Sequence, residues 1–241
     1  MAHAAEPGPH DLLADARVRG HVARGRAESL EARLPGVHRS HAGVLPLVSA
    51  CAEVNLVRHT QLINYALYQI GWFACVLGGA SHRPWTGLLI AMILVGVHLT
   101  MSLERSLEVR LVVLAATVGT VVEMVQIAAG TYRFTSGTLT DALPPPWLLA
   151  MWGQFATTFR YSARPVITRP IRAVLLGATG GPLAFLAGER LGAVTLLPPL
   201  TYGLLRLSVS WAIALLVFSA VVRRVAPGRR AGYIRMRQEW A

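Results

Sequence analysis

Six apolar runs follow one another along this chain, at about residues 61–79, 85–103, 111–129, 146–161, 171–188 and 199–222, with short polar connections between them. A hydrocarbon core of about 30 Å takes roughly twenty helical residues to cross. Four of the runs reach that length comfortably, while the fourth and fifth are shorter. With 54% hydrophobic and only 15% charged residues among 241, and a mean hydropathy of +0.47, the chain lacks the charge that a soluble domain of its size would need. The pattern predicts an all-α fold, a polytopic integral membrane bundle of about six transmembrane helices.

The flanks read differently. Residues 1–43 are polar and rich in Arg, His and Ala, too poor in large apolar groups to offset the entropy of ordering. They predict a mobile tail and exclude the short apolar core of a cleavable signal peptide. Residues 44–60 hold an apolar stretch, VLPLVSACAEVNLV, that is too short to span and carries Glu53, which predicts an amphipathic segment lying in the interface. Residues 61–222 then form the membrane domain, and 223–241 a basic tail. Cys51 and Cys75 make no CxxC or zinc-like spacing, so free thiols, no metal and no cofactor are expected.

All 23 basic residues are arginine, which lifts the net charge to +11. Sorted by connection, nineteen of them fall on one side of six spans. Three (Arg83, Arg133, Arg190) fall on the other, and Arg206 falls inside a run. The positive-inside rule then puts both termini in the cytoplasm, whereas five or seven spans would strand one basic terminus outside. Trp85, Tyr132, Trp147 and Tyr202 mark the predicted outer ends as an aromatic belt. The arginines flank helix ends without forming a stripe with interleaved aromatics, so membrane lipids with anionic head groups are the expected partners, not nucleic acid.

Three segments carry a resemblance: NYALYQIGWFACVLGGA from Asn64, PPPWLLAMWGQFATTF from Pro144 and GATGGPLAFLAGERLGAV from Gly177. Together they resemble a bacterial family of uncharacterised polytopic inner-membrane proteins, a domain of unknown function, over roughly residues 60–222. The resemblance implies an inner-membrane location and no mechanism. Members of that family are often encoded near methyltransferases resembling cyclopropane-fatty-acid synthases, which implies work connected with membrane lipids and a lipid-modifying enzyme as partner. The family pattern usually has Asp where this chain has Glu123, one methylene longer.

Neither HExxH, GxSxG, a Walker loop, GxGxxG nor an EF-hand pattern occurs. What remains informative is polar residues inside apolar helices. Counting at about 1.5 Å per residue puts Glu123 about 18 Å from the cytoplasmic side and Arg206 about 10 Å below the outer face, near one level. Gln154 and the segment Gly180, Gly181 and Pro182 fall near that level, with Gln69 and Trp72 beside it. An unpaired charge there costs roughly 2.5 to 3.5 kcal/mol, so Glu123 and Arg206 are predicted to pair, either as a functional midplane site or as a fixed helix register. The glycines and Pro182 are expected to bend or break the fifth helix. That break would expose backbone to a substrate, unless the small residues serve close helix packing. His98 reads as a satisfied interfacial histidine, Glu104 and Glu108 as part of a solvated connection, and Arg164, Arg169 and Arg172 as contacts for lipid head groups. Cys75 has no base beside it to make it a nucleophile.

Three functions fit. One is an accessory membrane protein of lipid modification or homeostasis. Another is a small carrier for an anionic or lipid-like solute through the midplane site. The third is an intramembrane lipid-modifying enzyme, for which no nucleophile or metal set has the usual spacing. The topology is testable directly: alkaline-phosphatase fusions after Gly137 are expected to be active and fusions at Ala241 inactive, and activity at both would refute six spans.

Overall fold

The structure, a computed structural model, describes the backbone of residues 41–225 and the side chains from Arg58 onward. The expected tail at 1–43, the side chains of most of the expected interfacial segment at 44–60 and the basic tail past Val225 lie outside that description. The chain divides into two units, Met1–Asn55 and Leu56–Ala241, and the candidate spans among the described residues belong to the second.

Among the described residues, five helices are long and apolar enough to cross a membrane: Arg58–Ala80 within α1 (His41–Ala80), α2 (Pro84–Met101), α3 (Arg105–Ala128), α6 (Pro170–Arg190) and α7 (Leu200–Val225). Only 22 to 33% of each apolar stretch is buried inside the protein. Residues such as Leu62, Phe73, Leu89, Val113, Leu183 and Ile213 point outward instead. An apolar surface this continuous has no place in water, and the chain is a multi-pass membrane protein. The polar groups are turned inward: Asn64, His98, Glu108, Glu123, Gln126, Gln154 and Arg160 are all buried.

The fourth apolar run departs from the expected spanning helix. It gives α4 (Pro146–Ala156), eleven residues or about 16 Å long, followed by turns over 157–163 and the single-turn α5 (Arg164–Ile167). Pro145 and Pro146 start α4 where backbone donors are unneeded. The segment still runs the length of the bundle. Trp147 lies against Gly79 at the end of α1, and Arg160 lies beside Glu104 and Glu108 where α3 begins. α4 packs chiefly on α2 and α3, and α7 chiefly on α6.

The expected break in the fifth run is absent. α6 is continuous from Pro170 to Arg190 with Pro182 inside it, and two of its glycines serve packing. A Cβ on Gly177 would sit 2.4 Å from the Trp211 carbonyl oxygen, and one on Gly181 2.4 Å from Trp211 Cγ. The small residues therefore admit α7 and its tryptophan, as small residues do in membrane interfaces. Past the ends of α3 and α6, β1 (Tyr132–Phe134) and β2 (Val194–Leu196) pair antiparallel, Tyr132 opposite Leu196, and tie those two helix ends together.

This packing predicts that Gly181→Val, which drives methyl groups into Trp211, destabilises the protein by about 1 to 3 kcal/mol in a thermal unfolding measurement. Gly180→Ala, whose Cβ meets only Leu176 of its own helix at 3.5 Å, is expected to leave stability within about 0.5 kcal/mol of the parent.

Candidate functional site

The buried polar groups sort into three sets along the bundle. Glu123 lies on the inward stripe of α3 with Leu111, Ala115, Gly119 and Gln126. Its carboxylate accepts a hydrogen bond from the Tyr132 hydroxyl and one of 3.0 Å from Trp152 Nε1. Burial, then the adjoining Glu123, pushes the Tyr132 hydroxyl well above its ordinary pKa, so it remains a donor. Arg206 is elsewhere. Its side chain is on the exposed face of α7, and among the described residues no ion pair joins it to Glu123. The predicted pair fails because matched depth says nothing about facing. Leu207, one residue and about 100° further round, takes the buried position instead. What α3 contacts at this level is the Arg206 carbonyl, which accepts from Gln126 Nε2 at 3.3 Å.

The second set lies at the opposite end, where the sequence suggested a solvated connection. Glu108 is fully buried. Arg160 Nη1 donates to its Oε1 at 2.7 Å, His98 Nε2 lies 3.2 Å from its Oε2, and Arg160 Nη2 bonds Glu104, which is 37% exposed. Tyr161 packs edge-on against His98 and donates to Ser102 Oγ at 3.3 Å. Arg160, at the end of the fourth run, is thus a buried ion-pair partner that ties that run to α3. The signal for it was present: a glutamate, a histidine and an arginine at one level near three helix ends.

The third set joins two of the resembling segments. Asn64 Nδ2 donates to the Thr157 carbonyl at 3.1 Å, and Asn64 Oδ1 accepts from the Ser162 hydroxyl at 2.6 Å. Gln154 Nε2 donates to the Leu67 carbonyl at 3.0 Å, at a place where Gly71 leaves room for the amide. Cys75 is buried with Sγ against the Gly87 carbonyl, at 3.5 Å.

Between α1, α4, α6 and α7 lies a cavity of about 320 Å³. Tyr65, Tyr68, Gln69, Trp72 and Val76 form one wall, and Leu176, Gly180, Ala184 and Gly188 the other. Trp152, Phe155 and Trp211 close its back. From Tyr65 to Val76 the wall is about 16 Å long. One end is apolar, with Phe134, Trp147 and Val194. The other brings together Tyr65, Thr158 and Ser162. Tyr65 and Leu176 are exposed on the outward apolar surface, so the cavity opens sideways. Of the predicted midplane residues, Gln69 and Gly180 line it. Glu123, Gln154, Gly181, Pro182 and Arg206 are not among its lining residues. Arg164 sits half-buried beside the polar end, with Arg169 and Arg172 exposed further on. No group of three His, Cys, Asp or Glu among the described residues is placed to hold a metal.

A family model described as a protein of unknown function, DUF2878, matches residues 61–217. The matched stretch contains every wall of the cavity and all three polar sets. No curated protein and no solved structure matches the chain.

The buried ion pairs give a mutational expectation. Arg160→Met leaves Glu108 buried without its cation and is expected to cost about 3 to 5 kcal/mol. The double change Arg160→Met with Glu108→Gln is expected to recover part of that. Denaturation in detergent micelles measures both, with Arg172→Met as the exposed control. Equal stability of Arg160→Met and the control would refute the role.

Proposed function

We propose that this chain, which belongs to the DUF2878 family, holds the hydrocarbon chain of a membrane lipid in the cavity between α1 and α6, as an accessory protein of lipid modification or homeostasis. The observation that carries this reading is the cavity's composition and its sideways opening. Its walls are aromatic and aliphatic, its mouth lies among residues that face hydrocarbon, and its volume falls at the lower end of small-ligand sites. What surrounds such a mouth in a membrane is lipid.

The polar end suits a head group. Ser162 and Thr158 lie there, and the adjoining turn carries Arg164, Arg169 and Arg172, which favour an anionic head. The arginine distribution supports a matching topology. The membrane-crossing segments number six when α4 and the turns after it are counted with the five long helices, both termini are cytoplasmic, and the membrane is the bacterial inner membrane. The basic end of the cavity then faces the cytoplasmic leaflet, where a lipid-modifying enzyme would reach it. A carrier built on a Glu123 and Arg206 pair and an opened α6 would need elements that lie apart in this fold.

Gly180→Leu tests the reading, because a side chain there enters the cavity without meeting another helix first. The purified parent is expected to carry co-purified lipid through native mass spectrometry, and the variant to lose most of it while unfolding at a similar temperature. Absence of lipid from the parent, or full retention by the folded variant, would overturn the proposal.

A further inference from the structure

The walls of the cavity differ from the hydrocarbon around the protein in one respect. Half of the chain's eighteen aromatic residues line it, and four of these form an unbroken row across three helices. Tyr68 of α1 meets Phe155 of α4 at 5.6 Å between ring centroids, Phe155 meets Trp211 of α7 at 6.5 Å, and Trp211 meets Trp152 of α4 at 4.4 Å. Each of these residues lines the cavity, and among the described residues no charged side chain does.

The α6 wall is of the opposite kind. Gly180, Ala184 and Gly188 recur at four-residue spacing and border the cavity, as residues on one helix face do. A Cβ on Gly180 would meet only Leu176 of α6 itself, so the space in front of it is open. Rings on one side and nearly bare backbone on the other leave width for a group broader than a straight chain.

A saturated chain gains little by entering such a place, because its surface passes from one apolar surrounding to another. What the row offers and a bilayer does not is aromatic surface, whose negative faces and positive edges favour a further ring placed edge-on or offset. We infer that the cavity selects a lipid whose hydrocarbon chain carries a planar conjugated ring, aromatic or quinonoid. This rests on the lipid reading and narrows it. The ring lies against the row begun by Tyr68 and Phe155, in the width that α6 leaves at Gly180. Tyr68 and Phe155 are then specificity-determining residues, and the aliphatic part of the cavity takes the chain.

The test compares two fatty acids of equal chain length, one ending in a phenyl ring and the other in a cyclohexyl ring. Each is titrated into the full-length protein in nanodiscs and followed by displacement of a fluorescent fatty acid, with empty nanodiscs correcting for partition into lipid. The phenyl probe is expected to bind about three- to tenfold more tightly. Phe155→Leu and Tyr68→Leu each remove one ring of the row, and the ratio of the two affinities is expected to fall towards one in both. Tyr68→Leu, on the half-buried wall of α1, carries the test if Phe155→Leu fails to fold. Equal binding of the two probes by the parent, or a ratio unchanged in the folded variants, overturns this inference and leaves the cavity as a lipid site. Binding of neither probe overturns the lipid reading as well.

Discussion

Between Ala156 and Arg164 the chain is neither helix nor strand, yet residues 157–161 are buried among helices, where their peptide groups have no water to turn to. Irregular backbone survives at such depth only when protein groups satisfy it. Here the turns bond one another, as in Ala163 N–H to the Thr158 carbonyl at 2.9 Å, and Asn64 of α1 takes up the Thr157 carbonyl and the Ser162 hydroxyl. Arg160 anchors the middle of the segment through Glu108 and Glu104. The three helices that meet around it are held by these polar contacts, since apolar surface gains little by leaving lipid for another helix.

The cavity follows from how α1 and α4 meet. At Gly71 the two helices approach closely enough for the Gln154 amide to reach a backbone carbonyl. On the adjoining face the large rings of Tyr68 and Phe155, 5.6 Å apart, hold the walls open. Across the gap α6 offers Gly180, Ala184 and Gly188, side chains too small to fill it. The stripe that looks like a place for helix packing therefore has two faces. Gly177 and Gly181 receive Trp211, while Gly180 borders open space.

The five long apolar helices were legible in the sequence because crossing hydrocarbon demands length and apolarity, and both are counted directly. Partners inside the bundle were less so. Depth, read from residue number, put Glu123 and Arg206 together, but rotation about each axis decides contact, and Arg206 faces outward while Tyr132 and Trp152 serve Glu123. The clue to facing lay in α3 itself, where Glu108, Leu111, Ala115, Gly119, Glu123 and Gln126 recur at three- and four-residue spacing and form its buried stripe. Arg160 was hidden for another reason. A basic residue at the end of an apolar run is what topology requires anyway, so the level it shares with Glu108 and His98 did not stand out as a pairing. The cavity had none either, being made by the absence of side chains.

The strand pair at the far end has a consequence for biogenesis. Tyr132 follows α3 at once and meets Glu123 nine residues back, a local contact available as soon as that segment leaves the ribosome. Its ring also stacks on Phe185 at 4.5 Å, and its strand pairs with Val194–Leu196. Those partners arrive only after α4, the irregular turns and α6 have all been made. The strand pair is therefore a late latch between the ends of α3 and α6. Until it closes, the half-built protein presents an unpaired strand edge at the membrane surface, and the time taken to translate some sixty residues sets how long that edge waits.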